Sequence, residues 1–361
     1  MIPLFKVKMS DSASELVSAV LASGFIGQGS KVEEFEDLLW KELKTNIRPI
    51  TVNSCTSAID LALHLCKVGP GDEVISTPQT CFASQVGIIH RNATIRWADI
   101  DPMTGLMNPD SVKNLITPKT KAIVSVNWAG KICDYAALKS FGVPVIEDAA
   151  HTWDSFLQNP IERGDYICYS FQAIKFLTTS DGGLLITPED KQDDARLLRW
   201  YGLDRTKNQS FRCTQNIIEA GFKYHMNDVC AAIGICNIPE ARDSVIKHRE
   251  NAKFYSENLK ECSSVSVLDF DDTCSYWLYS LLVESGTRDE FISYLNQNGI
   301  TASPVHHRND LYECTSKFSE GSLLGVDKFY EKQVSIPVGW WVTSEERSYI
   351  VNTIKSYFPN G

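Results

Sequence analysis

Lys175 lies between an apolar run at 166–171 and the turn-forming stretch Thr178-Thr-Ser-Asp-Gly-Gly183. That pattern places it at the end of a strand, where functional groups concentrate. Upstream by 27 residues, Val143-Pro-Val-Ile-Glu-Asp148 is a second apolar run, and it closes on a carboxylate. The separation suits neighbouring strands of an α/β sheet. A lysine amine can condense with an aldehyde, and an aspartate can hold a pyridinium nitrogen. Those are the two protein groups that pyridoxal 5'-phosphate requires.

The elements that must position this pair are legible from periodicity. Residues 11–23 and 30–44 carry helical spacing, with Val32, Phe35, Leu38, Leu39 and Leu43 on one stripe. Gly24-Phe-Ile-Gly-Gln-Gly29 between them is a loop. Strands are expected at 50–52, 73–76, 93–98, 122–126, 144–147, 166–170 and 184–187, with helices at 57–66, 84–91 and 135–141 among them. Short apolar strands alternating with helices predict an α/β fold with a largely parallel sheet covered on both faces. Helices follow at 226–238 and 242–262, then a strand at 275–283, a helix at 288–297, a Pro/His/Arg/Asn loop at 303–310 and a final helix from 344. The change of pattern predicts a large domain, 1–240, and a smaller C-terminal α+β domain, 241–361.

Composition narrows the function classes. The chain has 361 residues, 43% apolar and 22% charged, with a net charge of −10 and no local basic patch. A nucleic-acid or anionic-membrane partner is therefore not expected. The 11 cysteines include no Cys-x-x-Cys pair and no zinc-like His/Cys spacing, so neither a disulfide framework nor a metal site is expected. Cys66, Cys168, Cys230 and Cys236 sit inside apolar runs, as reduced thiols do. The opening Met1-Ile-Pro-Leu-Phe-Lys-Val-Lys has no long apolar stretch, and none of membrane-spanning length occurs elsewhere. The expected location is the cytoplasm.

Three further features bear on the site. Thr51-Val-Asn-Ser-Cys-Thr-Ser-Ala58 reads as strand, hydroxyl-rich turn and helix start. Its backbone N–H groups with the Thr56 and Ser57 hydroxyls make a natural phosphate site, although Ser and Thr are also the commonest helix caps. Asp148 closes a strand, where ligands bind in open α/β sheets, but an aspartate there also caps helices. His151, three residues on, is placed to meet a cofactor ring oxygen or to serve structurally.

Taken in order, these segments resemble the DegT/DnrJ/EryC1/StrS sugar aminotransferases, which have the type I aminotransferase fold. The likeness runs nearly end to end. It includes Phe25-Ile-Gly-Gln-Gly-Ser-Lys-Val-Glu-Glu-Phe-Glu36, Asn53-Ser-Cys-Thr-Ser-Ala58, Gly69-Pro-Gly-Asp-Glu-Val-Ile75 and Thr77-Pro-Gln-Thr-Cys-Phe82. Glu147-Asp-Ala-Ala-His151, the Lys175 segment and Gly221-Phe-Lys-Tyr-His-Met-Asn-Asp228 complete it.

The resemblance implies a seven-stranded, mainly parallel sheet between helices and a pyridoxal phosphate cofactor. Lys175 would bond to the cofactor and shuttle the proton, Asp148 would pair with the pyridine nitrogen, and His151 would contact the ring hydroxyl. Phe82 would stack on the ring. Thr56, Ser57 and Ser170, with Cys55 in the same turn, would hold the phosphate. Lys223, where many members have Asn, would reach the phosphate of a partner subunit, so that active sites are shared across a homodimer.

Departures from the family pattern mark the places to watch. Cys55 stands where relatives usually have Gly, and Asn127-Trp-Ala-Gly-Lys131 replaces a common His/Tyr-Gly-Gln-like segment. Gln28, His306, His307 and Arg308 are candidates for the nucleotide diphosphate or the amino-donor carboxylate.

The implied reaction carries an amine from L-glutamate, releasing 2-oxoglutarate, to a nucleotide-linked keto-deoxy-sugar. C4 of UDP- or dTDP-4-keto-6-deoxyglucose, giving viosamine, is favoured over a C3-keto sugar. A few relatives with histidine at the lysine position are sugar dehydratases, so Lys175 favours transamination. A non-catalytic, cofactor-binding regulator on the same scaffold is the alternative from another class, and it would be expected to lack Lys175 or Asp148. A cysteine desulfurase of similar fold would need a reactive cysteine on a loop. Only Cys314 lies in such sequence, and its flanking motifs do not fit.

Overall fold

The structure, a computed structural model, describes residues 1–153, 161–205 and 214–358. Seven strands form the main sheet: β1 (Ile50–Val52), β2 (Glu73–Ser76), β3 (Thr94–Trp97), β4 (Thr120–Val126), β5 (Val145–Asp148), β6 (Tyr166–Ser170) and β7 (Gly183–Ile186). Their order is β1-β7-β6-β5-β4-β2-β3. The pairs from β3 through β6 are parallel, whereas β7 is antiparallel to both β6 and β1. The reversal follows from the connection. Parallel neighbours need a crossover, usually a helix, and the β6–β7 connection at 171–182 contains none. That helix-free connection carries Lys175.

A second, three-stranded antiparallel sheet is ordered β10-β9-β8, from β8 (Val265–Ser266), β9 (Tyr279–Val283) and β10 (Gln333–Ile336). The strand expected at 275–283 starts late. Tyr276, at φ 55°, holds the left-handed region, which breaks extended pairing there.

The helices are α1 (Ala13–Ser23), α2 (Ser30–Leu43), α3 (Cys55–Leu65), α4 (Ala83–His90), α5 (Pro109–Leu115), α6 (Tyr135–Lys139), α7 (Gln192–Leu198), α8 (Asp228–Leu259), α9 (Arg288–Gln297), α10 (Leu324–Lys332) and α11 (Ser344–Tyr357). The two helices expected at 226–238 and 242–262 are one, α8, of 32 residues with Pro239 inside. An interior proline removes one hydrogen bond and costs roughly 3 kcal/mol. Burial on either side offsets that cost, since Ile238 and Ala241 are both in the core. The helix supplies Ala231, Ile238 and Val245 to the apolar cluster around the main sheet. Farther along, Ala252, Tyr255 and Leu259 join a second cluster formed with the small sheet, α9 and α11.

One buried charge ties α2 to β1 and α7. Glu36, 1% exposed, accepts hydrogen bonds from the Thr51 N–H (3.0 Å) and from Arg199 (2.6 Å), with Arg196 at 3.1 Å. Burial opposes its charge, but Arg199 and Arg196 outweigh burial and hold its carboxyl at about 2.

Candidate active site

Asp148 ends β5 and is 4% exposed. Its Oδ2 accepts from the Ser84 hydroxyl at 2.6 Å, and its Oδ1 accepts from the Ala150 N–H at 3.0 Å. The Cys55 thiol lies 3.9 Å from Oδ1. Burial pushes the Asp148 carboxyl above the usual carboxylate range, against those hydrogen bonds, which favour the charged form. The carboxylate is pinned at both oxygens, and a cation would relieve its cost of burial. Burial likewise pushes the Cys55 thiol well up, so it stays protonated.

Lys175 leaves the strand end on a tight turn, its N–H donating to the Gln172 carbonyl at 2.9 Å. Its Nζ lies 3.6 Å from the centroid of the Trp277 ring. Burial pulls the amine from 10.5 to about 8, against Asp148, Cys81 and Cys55, which favour the charged form. At neutral pH such an amine is neutral often enough to act as a nucleophile and base.

Aromatic rings complete the surroundings. His151 stacks on Trp277 at 4.0 Å and lies nearly parallel to His306 at 5.9 Å, and both imidazoles pack edge-on against Trp128. Burial, then Lys175 and His306, hold the His151 imidazole well below its usual value. Burial and Lys175 bring His306 to about 4. Both rings are therefore uncharged at neutral pH. Among the described residues, His151 Nδ1 and His306 Nε2 are buried without hydrogen-bond partners. Phe82 precedes α4, the helix of Ser84, and packs edge-on against Tyr312 at 5.2 Å.

The hydroxyl-rich turn opens α3. Ser54 is its N-cap, accepting from the Ser57 N–H at 3.1 Å, and the two hydroxyls lie 2.9 Å apart. The cap and the phosphate-site readings of this turn are thus compatible, because the cap takes the Ser57 N–H and leaves the Cys55 and Thr56 N–H groups of the first turn available. Gly183 holds the arrangement close. In register it stands opposite both Val52 and Ser170. A Cβ there would meet the Ser54 carbonyl carbon at 2.5 Å and the Cys55 nitrogen at 2.6 Å. Glycine thus lets β7 press against the turn, with Ser170 on the neighbouring strand.

The remaining candidates sit differently. The Lys223 carbonyl accepts from Asn53 Nδ2 at 3.1 Å, so its backbone flanks the turn of its own chain, while its Nζ lies 5.0 Å from the Trp200 ring centroid. Trp200 also lines a cavity of about 420 Å³ with Gln28, Glu36, Arg48 and Arg205. Gln28 thus belongs with Trp200, not with the Lys175 cluster. Arg308 is held bidentately by Asp310 (2.8 and 2.7 Å) and by Asp327, and His307 bonds the Tyr330 hydroxyl at 2.6 Å. The Asn309 N–H donates to the Pro78 carbonyl at 2.9 Å, which ties this loop to the one after β2. Asn127 is turned inward, donating to Glu147 at 2.6 Å. Its neighbour Trp128 is the residue of that segment that faces the imidazoles.

Two residues escaped the sequence reading. Ser84 carried a faint signal, a hydroxyl in the first turn of a helix following Phe82. Trp277 carried none, because it comes from the strand region of the small sheet. The donor set fits pyridoxal phosphate: a softened amine, a pinned buried carboxylate, a hydroxylated helix N-terminus and an unpartnered imidazole nitrogen at His151.

Comparison with known proteins agrees with the geometry. The model of the DegT/DnrJ/EryC1/StrS aminotransferase family matches residues 8–355. The spore coat polysaccharide biosynthesis protein SpsC of Bacillus subtilis is 30% identical, covering 94% of this chain and 92% of its own. Among solved structures, AtS13 from Actinomadura melliaura superposes with a TM-score of 0.91 at 38% identity, over 99% of this chain and 98% of that one. The sugar aminotransferase CalS13 from Micromonospora echinospora gives 0.91 at 35% identity, over 99% of this chain and all 100% of that one. The chain belongs to the DegT/DnrJ/EryC1/StrS aminotransferase family and is a pyridoxal phosphate-dependent sugar aminotransferase of nucleotide-sugar biosynthesis.

Proposed function

We propose that this enzyme transfers the amino group of L-glutamate to C4 of a UDP- or dTDP-linked 4-keto-6-deoxyglucose, giving the viosamine nucleotide. The observation that carries the transaminase chemistry is a Lys175 amine brought to about 8 beside a buried, doubly pinned Asp148. When bound, pyridoxal phosphate supplies an electron sink for the carbon that loses its proton. Lys175 Nζ would move the proton off the donor's α-carbon in the first half-reaction and, in the second, deliver a proton to the sugar carbon that receives the amine. Asp148 holds the pyridine nitrogen, and Ser84 and the Ala150 N–H keep the carboxylate aimed. Thr56, Ser57 and Ser170 bind the phosphate at the start of α3, His151 meets the ring hydroxyl, and Phe82 covers the ring.

The wall of indoles and uncharged imidazoles suits a 6-deoxy-sugar, whose methyl group stands where an ordinary hexose has a hydroxymethyl. His306 and His307 are assigned to the nucleotide-sugar or the donor carboxylate, with Arg308 acting from within its pairs with Asp310 and Asp327. Homodimerisation with Lys223 reaching the partner's phosphate is supported by the exposed apolar loop of Phe25 (81%) and Ile26 (51%). Reduced, buried Cys55, Cys133 and Cys168 support a cytoplasmic location. No helix among the described residues is long and apolar enough to cross a membrane.

The test is a mass-spectrometric screen of nucleotide-linked 4-keto and 3-keto sugars with L-glutamate. Aminated product from the 4-keto sugar is expected. Product from 3-keto sugars alone would move the assignment to C3, and absence of any glutamate half-reaction would remove glutamate as donor.

A further inference from the structure

The Lys175 amine meets an aromatic face in a place where a counter-ion would be expected. Its Nζ is 3.6 Å from the Trp277 centroid, and among the described residues no carboxylate comes within ion-pair distance. The charged or titratable groups facing it are Asp148 from β5, Cys55 from α3, Cys81 ahead of α4, and the uncharged His151 and His306. The lysine is therefore the one cation among these groups at neutral pH.

The indole is fixed in place. Trp277 Nε1 donates to the carbonyl of Ile174, the residue before the lysine, at 3.0 Å. Phe5 and His151 stack on the ring at 4.9 and 4.0 Å. The chain also accepts backbone strain to present the rings near the lysine. Tyr276, immediately before Trp277, sits at φ 55°, and Val305, immediately before His306, at φ 68°. The His306 N–H bonds the Pro304 carbonyl at 2.8 Å, so the β-branched Val305 occupies a γ-turn of the rare, strained hand. Strain of this kind persists where the surroundings over-determine it, and it clusters at functional positions.

We propose that the indole face of Trp277 is the docking place of the Lys175 ammonium in the half of the cycle when that amine is released from the cofactor, and that Trp277 is a positioning residue for proton transfer. The proposal rests on Lys175 being the residue that bonds the cofactor. A cation over a desolvated indole is held by the ring's quadrupole without a counter-anion. The ammonium is then stabilised yet free of a carboxylate that would bind it too tightly to give its proton back. Phenylalanine at 277 keeps part of the attraction, and leucine keeps none.

The experiment uses holoenzyme loaded with pyridoxamine phosphate, in which Lys175 is a free amine. Its labelling by trinitrobenzenesulfonate is followed against pH and located by peptide mass mapping. The pH of half-maximal labelling should fall by about one unit in Trp277→Leu and by about half as much in Trp277→Phe. The Phe variant also guards against misfolding of the Leu variant, and near-ultraviolet circular dichroism verifies both. An unchanged midpoint in a folded variant would overturn the proposal, as would equal shifts for Phe and Leu, which would indicate lost packing. Failure of wild-type protein to hold the cofactor would count against the role of Lys175 itself, and that outcome is separable because it precedes labelling.

Discussion

The Ser84 hydroxyl donates to Asp148 Oδ2 at 2.6 Å, and that bond joins the first turn of α4 to the end of β5. It is the shorter of the two hydrogen bonds that aim the carboxylate, and it favours the charged form that a pyridinium nitrogen needs. Ser84→Ala leaves the fold intact but removes a charge-assisted bond worth about 1.5–3 kcal/mol. Pyridoxal phosphate should bind ~10- to 100-fold more weakly, as read by absorbance titration of the cofactor-free protein. Threonine at the same position should restore most of the affinity.

Gly183 presses against the turn that begins α3. Alanine there would place its Cβ 2.5 Å from the Ser54 carbonyl carbon and 2.6 Å from the Cys55 nitrogen, both backbone atoms that cannot rotate away. Gly183→Ala should lower stability by about 1–3 kcal/mol through overpacking. It should also weaken cofactor binding, because the turn must shift. Thermal melts with and without cofactor check both parts, and the melting temperature should respond less to added cofactor than in wild type.

Glu36 should dominate one part of the acid response. Its folded carboxyl is held at about 2, below the ordinary 4.5, so the stability it contributes is fully present above 4.5. That contribution is lost as pH falls from 4.5 toward 2. Glu36→Gln leaves the buried Arg199, and the half-buried Arg196 beside it, without their carboxylate and should cost about 3 kcal/mol near neutrality. The gap between variant and wild type should narrow through that acid window, measured by urea unfolding at stepped pH.

Lys223 offers a test of shared sites. Lys175→Ala and Lys223→Ala are each expected to be nearly inactive alone. If each active site takes its lysine 223 from the other subunit, mixed and re-equilibrated variants should regain about a quarter of wild-type activity, since half the dimers would be mixed and each would have one intact site. No recovery would assign Lys223 to the turn that its own backbone flanks through Asn53.

The main sheet was legible because its signals are local. Apolar runs ending in Asp148 and Ser170, and a glycine pair at Gly182 and Gly183, mark strand ends and a turn whatever packs against them. All seven expected strands are present, shifted by at most two residues at any end. The reversal of β7 was not foreseen, although the short, helix-free stretch after Ser170 held the clue. Pro239 misled in the opposite direction, since a local helix-breaker was overruled by burial on both sides. At the site, Lys175 and Asp148 declared themselves by chemistry and order. Trp277 did not, because its meeting with Lys175 depends on how the small sheet packs and on the left-handed Tyr276 before it. Arg308 read as an available cation, and sequence gave no sign that Asp310 and Asp327 engage it.

The 32-residue α8 carries side chains of both apolar clusters on one continuous rod. For protein engineering this makes the chain indivisible near its middle. A fragment cut at Pro239 would strip Val245 of the main-sheet cluster it packs into on one product and leave Ala231 and Ile238 at a frayed end on the other. Chimaeras that exchange the C-terminal third with a related enzyme, to graft its sugar preference, should therefore be joined after Leu259, with the whole rod kept from one parent.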